Sequence, residues 1–271
     1  MTDYMVLAAA MLLTGGVGGI LAGLLGVGGG IVIVPVMEAA LTWLGVDEAI
    51  RMHVAVATSL ATIIPTSIAS SRAHHRRKAV DVELVRRWGL FVLLGAFAGT
   101  VIASQVHSNV LAIIFAIVAM IVALKMILPL EGRTIADDVP KGVLVQVVPT
   151  SIGAVSSMMG IGGGTLSVAV LTLFNQPIHR AVGTAALFGL AISLPGTVGF
   201  MISGLDDPRL PPGSIGYVNL IGFALISPMT FLAAPLGADI AHRLSRRHLS
   251  LLFGLFLVIV AVRMFYRALF S

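Results

Sequence analysis

Apolar residues fall in blocks along this chain. Runs at 4–25, 49–71, 88–105, 108–130, 177–203, 215–241 and 249–270 each approach the ~20 residues that carry a helix across a bilayer. Shorter apolar pieces occupy 31–44, 143–159 and 165–174. Between them lie polar stretches: "SRAHHRRKAVDVELVRR", "EGRTIADDVPKG", "GLDDPRLPPG" and "HRLSRRH". Pro65 interrupts the run at 49–71, and Pro228 and Pro235 interrupt that at 215–241; these and Pro195 are expected to kink their helices. Glycines interrupt the pattern twice more, as "GVGGG" at 26–30 and "GIGGG" at 160–164. The pattern predicts an all-α polytopic membrane protein with helix breaks or re-entrant turns at the glycine-rich motifs.

Composition sharpens this. Hydrophobic residues make up 58% of the chain and charged residues 11%, against roughly 25% charged in a soluble domain. Mean hydropathy is +1.03. A soluble fold cannot hide that much apolar surface, so membrane lipid is the expected partner. The net charge of +5 is read as cytoplasmic loop charge, not as a nucleic-acid footprint. With no cysteine, disulfides and thiolate metal sites are excluded, and no metal or cofactor is expected. His-Glu-x-x-His, Gly-x-Ser-Gly and a phosphate loop are absent. That argues against a metalloprotease, an intramembrane serine protease and a nucleotide-driven pump.

The chain repeats itself. "GVGGG" at Gly26 matches "GIGGG" 134 residues later, and "HVAVAT" at His53 matches "HRAVGT" at His179, 126 residues later. "GTVIA" at Gly99 matches "GADIA" at Gly237, 138 residues later; "FAIVAMIVALKM" at Phe115 matches "FGLFLVIVAVRM" at Phe253 with the same offset. Repeats over 1–130 and 143–271 are expected, joined by a polar cytoplasmic linker at 131–142. Arginine and lysine place the 72–87 and 242–248 loops in the cytoplasm, whereas the acidic 205–214 loop fits outside. Two inverted repeats of four or five helical segments are therefore expected. Five crossings per half, or three plus a re-entrant hairpin, give the same sidedness.

A helix break in lipid leaves amides and carbonyls unpaired, so it survives only inside protein or beside a wet cavity. The helix that follows points bare N–H groups and partial positive charge at that cavity. Two such breaks meeting near the midplane would bind an anion through backbone, the arrangement of broken-helix transporters. This makes Gly28, Gly29, Gly30, Gly162, Gly163 and Gly164 candidate substrate-binding positions, with hydroxyls from Thr58, Ser59, Thr165 and Thr184. Ser67, Ser70, Ser156, Ser157 and Ser167 are further hydroxyls of the same kind. His53, His179 and Glu38 are candidates for proton coupling; a place at a helix end, in the interface, is the alternative for each. Lys125 and Arg263 fit snorkelling, and Arg51 and Arg180 fit interface anchors. Gly15, Gly19, Gly23, Gly95 and Gly99 are assigned to close helix contact.

The blocks "GVGGGIVIVP", "AVATSL" and "HHRRKAVD", with "GIGGG" and "AVGTAAL" downstream, resemble the TauE/SafE family of permeases over nearly the whole chain. The resemblance implies an internally duplicated, multi-helix protein, placed in a bacterial-type inner membrane. It implies movement of a small sulfur-containing or organic anion, such as sulfite, sulfoacetate or a related sulfonate. Alternating access with proton coupling is the mechanism expected, and an anion channel is the alternative. The second copy has Thr184-Ala185 where the first has Thr58-Ser59, so only one half carries the full hydroxyl pair. Oligomeric state is open, with a homodimer among the options.

Overall fold

The computed structural model describes residues 2–25, 29–128, 143–241 and 246–270. They form ten helices and one short hairpin. The first half carries α1 (Thr2–Leu25), α2 (Gly30–Trp43), α3 (Glu48–Arg76), α4 (Val82–Gln105) and α5 (Ser108–Ile127). The second carries α6 (Leu144–Met159), α7 (Gly164–Leu173), α8 (Ile178–Ser203), α9 (Leu220–Ala241) and α10 (Arg246–Phe270). Antiparallel strands β1 (Ser214–Ile215) and β2 (Val218–Asn219) precede α9. The protein is an all-α polytopic membrane protein. Among the described residues, α3, α4, α5 and α8 are long and apolar enough to cross a bilayer. The 131–142 linker lies outside the described residues.

The shortest helices do not span. At 1.5 Å per residue, α2 reaches about 21 Å and α7 about 15 Å, against a ~30 Å hydrocarbon core. Helix α2 folds back along α1: a Cβ on Gly18 would stand 3.5 Å from Ile33 and 3.8 Å from the Gly29 carbonyl oxygen. From that contact α2 runs toward the 44–47 turn, where Arg51 of α3 donates to the Val46 carbonyl. Helix α7 runs the opposite way. Its far end meets Lys125, at the end of α5, whose Nζ donates to the Ala169 carbonyl at 2.8 Å.

Helix partners are exchanged between the halves. Helix α1 packs on α9 and α4 on α6, while α3 meets α8 and α5 meets α10. Small residues make the first two contacts close. A methyl on Gly19 would lie 2.6 Å from the Thr230 carbonyl oxygen, and one on Gly237 would collide with that of Ile20. In the α4–α6 interface, methyls on Gly95 and Gly99 would collide with the Thr150 and Ala154 carbonyls. Small residues at such positions let lipid-embedded helices approach backbone to backbone.

Burial sorts the helices. The apolar stretch of α3 is 78% buried, whereas those of α4 and α5 are each 39% buried and present Leu90, Phe97, Ile117 and Ile121 outward. Helices α2 and α3 therefore occupy the centre, and α4 and α5 offer lipid-facing sides. Two expectations change here. Pro65, Pro228 and Pro235 do not interrupt their helices: α3 and α9 run continuously through them, as α8 does through Pro195, which membrane helices tolerate when neighbours satisfy the freed carbonyl. The 72–87 basic stretch is mostly helical. Asp81 caps α4 by accepting from the Leu84 amide at 2.9 Å, so only 77–81 connects α3 to α4.

Candidate functional site

The two glycine runs build nearly the same backbone. Gly29 caps α2 with φ 76° and ψ −18°; Gly163 caps α7 with φ 75° and ψ −14°. Gly160 and Gly162 also have positive φ. This left-handed region costs other residues roughly 1–2 kcal/mol, which explains why glycine recurs at both caps. Neither cap supplies a side-chain hydrogen bond, so the first amides of α2 and α7 keep their electrostatic reach.

The breaks meet. A methyl on Gly30 would collide with the Gly160 carbonyl oxygen and lie 2.9 Å from Ile161 Cα. Helices α3 and α8 line the junction. Ser59 Oγ donates to the Gly160 carbonyl at 2.7 Å. Ile63 lies against Gly30 and Gly162, and Ile192 against Gly163. On α8, Gly189 lies against the Gly162 carbonyl and Ser67 Oγ. Each of these residues is buried.

Among the candidates, the structure thus groups Gly29, Gly30, Ser59, Gly162, Gly163, Gly164 and Thr165 around one junction. Gly28 lies outside the described residues. Thr58 and Thr184 point elsewhere, and do so alike. Thr58 Oγ1 accepts from the amide of Asn219, just before α9, at 2.9 Å. Thr184 Oγ1 accepts from the amide of Asp81, just before α4, at 3.0 Å. Asp81 and Asn219 each accept in turn from the amide three residues on. Each threonine therefore anchors a helix start from the other half through its hydroxyl oxygen. Repetition in the sequence marked these residues without separating this anchoring from binding.

His53 and His179 also part company. His53 is 4% exposed. Its Nε2 donates to the Ala103 carbonyl at 3.0 Å, because a carbonyl only accepts. Its ring lies 5.1 Å from that of Tyr217, at the 204–219 end of the fold. His179 is exposed in the first turn of α8, at the opposite end. Neither borders the junction. Over His53, the Tyr217 hydroxyl donates to Asp207, which also accepts from Arg209 Nε and Nη2. The Arg209 guanidinium is the main reason the Asp207 carboxyl is lowered from 3.8 to about 2.

Glu38 is buried in the second half of α2, where it contacts Arg267 and lies 3.7 Å from Arg263. Arg51 and Arg267 both donate to Thr42, one turn further along α2. A small cleft opens beside them, lined in part by Glu48, Ser108 and Asn109. Lys125 is the counterpart of Arg263 in sequence and docks on α7, donating to Ala169 and Thr172. Both cations therefore do more than snorkel: each ties the last helix of its half to the short helix of the other. No group of three or more metal-ligating side chains occurs among the described residues.

A mostly helical chain with lipid-facing apolar sides and paired helix breaks points to a multi-pass membrane protein of the transporter class. Residues 11–264 match the family model described as "Sulfite exporter TauE/SafE", and the chain belongs to that family. It is 34% identical to a probable membrane transporter protein of Haemophilus influenzae, over 94% of this chain and 96% of that one. It is 27% identical to the probable membrane transporter protein YunE of Bacillus subtilis, over 99% and 100%. A probable membrane transporter protein of Methanocaldococcus jannaschii is 24% identical over 97% of both chains. No solved structure matches the chain. Its membership points to a transporter and away from an enzyme.

Proposed function

We propose that this protein is a secondary transporter of a small oxyanion, sulfur-containing or organic, in a bacterial-type inner membrane. The observation carrying the reading is the contact of Gly30 with Gly160, two helix breaks with matching caps meeting inside the protein. Both short helices start at this point and run to opposite ends. Two helix N-termini therefore bring partial positive charge to one buried place without a buried cation. The two halves act as inverted repeats, each a re-entrant hairpin followed by three crossings. With the 77–81 turn in the cytoplasm, the basic residues around it obey the positive-inside pattern and the 204–219 loop lies outside.

In the conformation described, the junction is closed by backbone contact. Transport then requires the halves to part, opening the breaks to one face at a time. Two ties hold one half to the other, Glu38 with Arg267 at one end and Lys125 with Ala169 at the other. They are the contacts expected to yield in turn. The test is uptake of sulfite, sulfoacetate and methanesulfonate into proteoliposomes. Wild-type protein should move at least one of them, and a proton gradient should change the rate if protons are the coupling ion. Gly30→Val should abolish movement while the protein stays in the membrane. Undiminished flux through Gly30→Val would contradict the reading; flux at channel-like rates that no gradient can drive uphill would favour a pore.

A further inference from the structure

Among the described residues, five buried hydroxyls on α6, α7 and α8, the helices that carry and line the second break, lack any hydrogen-bond partner: Ser156, Thr165, Ser167, Ser193 and Thr197. Each is at most 6% exposed. An unpaired buried hydroxyl is costly, and membrane helices ordinarily bond serine and threonine back to a carbonyl one turn earlier. Helix α3 does so, through Thr62 to Ser59, Thr66 to Thr62 and Ser71 to Ile68. The five exceptions belong to the second half. Ser156 is in the last turn of α6, and Thr165 and Ser167 are in the first turn of α7. Ser167 Oγ stands 3.6 Å from where a Cβ on Gly163 would lie. Ser193 and Thr197 are one turn apart on α8, and Ser193 follows Ile192, which abuts Gly163.

We propose that these hydroxyls form an uncharged oxyanion subsite confined to the second break, and that it takes a singly charged anion. The proposal rests on the transport reading above and assigns its ligand-holding groups. Hydroxyls and α7 amides donate, while the Ser156 and Ser157 carbonyls at the end of α6 already accept from the amides of Ile161 and Gly160. Two converging helix N-termini disfavour a cation in the same place. Charge balance sets the valence. Each helix N-terminus carries roughly half a positive charge and two meet here, while the C-terminus of α6, whose last carbonyls are bonded to the Gly160 and Ile161 amides, takes some of that away, so the junction offsets at most about one negative charge. A dianion would leave a second charge buried without compensation.

The experiment is calorimetric binding to the full chain in detergent, with methanesulfonate and sulfate as probes. They share the sulfonyl oxygens and differ in charge. Methanesulfonate should bind at least about tenfold tighter than sulfate. Thr165→Val, Ser167→Ala and Ser193→Ala should each weaken methanesulfonate by about tenfold or more, as for loss of one hydrogen bond to a charged group. Thr165→Ser, which keeps the hydroxyl, should bind much as wild type does. Thr62→Val and Ser71→Ala, whose hydroxyls already serve backbone carbonyls, should stay within about twofold of wild type. Wild-type affinity in all three hydroxyl-deleted variants, sulfate binding as tightly as methanesulfonate, or no binding of methanesulfonate to the intact chain overturns the subsite. If an oxyanion is still transported and Gly30→Val still blocks it, the subsite alone has failed and the junction stands. If no oxyanion is transported, both fail.

Discussion

Helix α2 opens with Gly30-Ile31-Val32-Ile33, whereas α7 opens with Gly164-Thr165-Leu166-Ser167. The two turns occupy equivalent places in the halves and have caps with nearly equal dihedral angles. Where the first presents isoleucine, the second presents a hydroxyl. Helices α3 and α8 differ the other way: Ser59 reaches across to the Gly160 carbonyl, while its counterpart Ala185 cannot. The comparison separates what the two halves share from what they do not. Backbone geometry is shared because both breaks need the same left-handed cap and the same close approach. On the proposed subsite, side-chain chemistry differs because one anion needs one set of donors, and a second unpaired set would only destabilise the core.

The largest effect should come from removing the shared geometry. Gly163→Ala and Gly29→Ala each force a methyl into a left-handed cap, costing about 1–2 kcal/mol of strain. At Gly163 the methyl would also collide with the tip of Ile192, whereas at Gly29 it would stand 3.1 Å from the Gly18 carbonyl oxygen. Both variants should lose most transport in proteoliposomes, and Gly163→Ala should lose more.

Next come the unequal end ties. Glu38→Ala leaves two arginines without their buried partner and should lower stability by about 3 kcal/mol, the low end for a broken buried pair, because Arg263 and Arg267 keep some water. Lys125→Met removes bonds to a carbonyl and a hydroxyl and should cost about 1 kcal/mol. Unfolding midpoints in detergent rank the two; equal midpoints would remove the claimed difference between the ends.

Where the halves are alike, the effects should match. Thr58→Val and Thr184→Val each strand one backbone amide, at Asn219 and Asp81, and should cost about 1–2 kcal/mol apiece. Methanesulfonate affinity should not change in either. A loss of affinity there would return these threonines to the binding site.

The last effect belongs to the 204–219 loop and shows only in acid. Asp207 titrates lower in the folded protein, at about 2, than its ordinary 3.8. Its contribution to stability is complete above 3.8 and is lost as the pH falls through about 2. The thermal midpoint should therefore fall with pH through that window, and Asp207→Asn should flatten the fall.

Much of this was legible from residue types. The lengths of the apolar runs set the membrane class, and three glycines in succession fit no packing periodicity, which marked both breaks. The 126-residue offset that pairs His53 with His179 also pairs Thr58 with Thr184, and those threonines make matching bonds across the halves. What the residues could not reveal was direction. Whether a threonine faces a cavity or a neighbouring amide depends on helix rotation, which periodicity leaves free in a helix apolar on all sides. The two histidines share a sequence block and sit at opposite ends, as inverted halves require, but one is buried and the other exposed, which again depends on rotation. Proline at 65, 228 and 235 misled as a breaker of its helix, because its lost hydrogen bond breaks a helix in water more readily than in a packed membrane bundle. The contrast between paired hydroxyls in α3 and unpaired ones near α7 needed the contacts themselves.

The most direct measurement is an experimental structure of the full chain with methanesulfonate bound. Its oxygens should lie within hydrogen-bonding distance of Thr165, Ser167 and the first amides of α7, with the start of α2 facing it. An anion seated instead among Arg51, Arg263 and Arg267, or glycine runs that lie apart with no shared pocket, would contradict it.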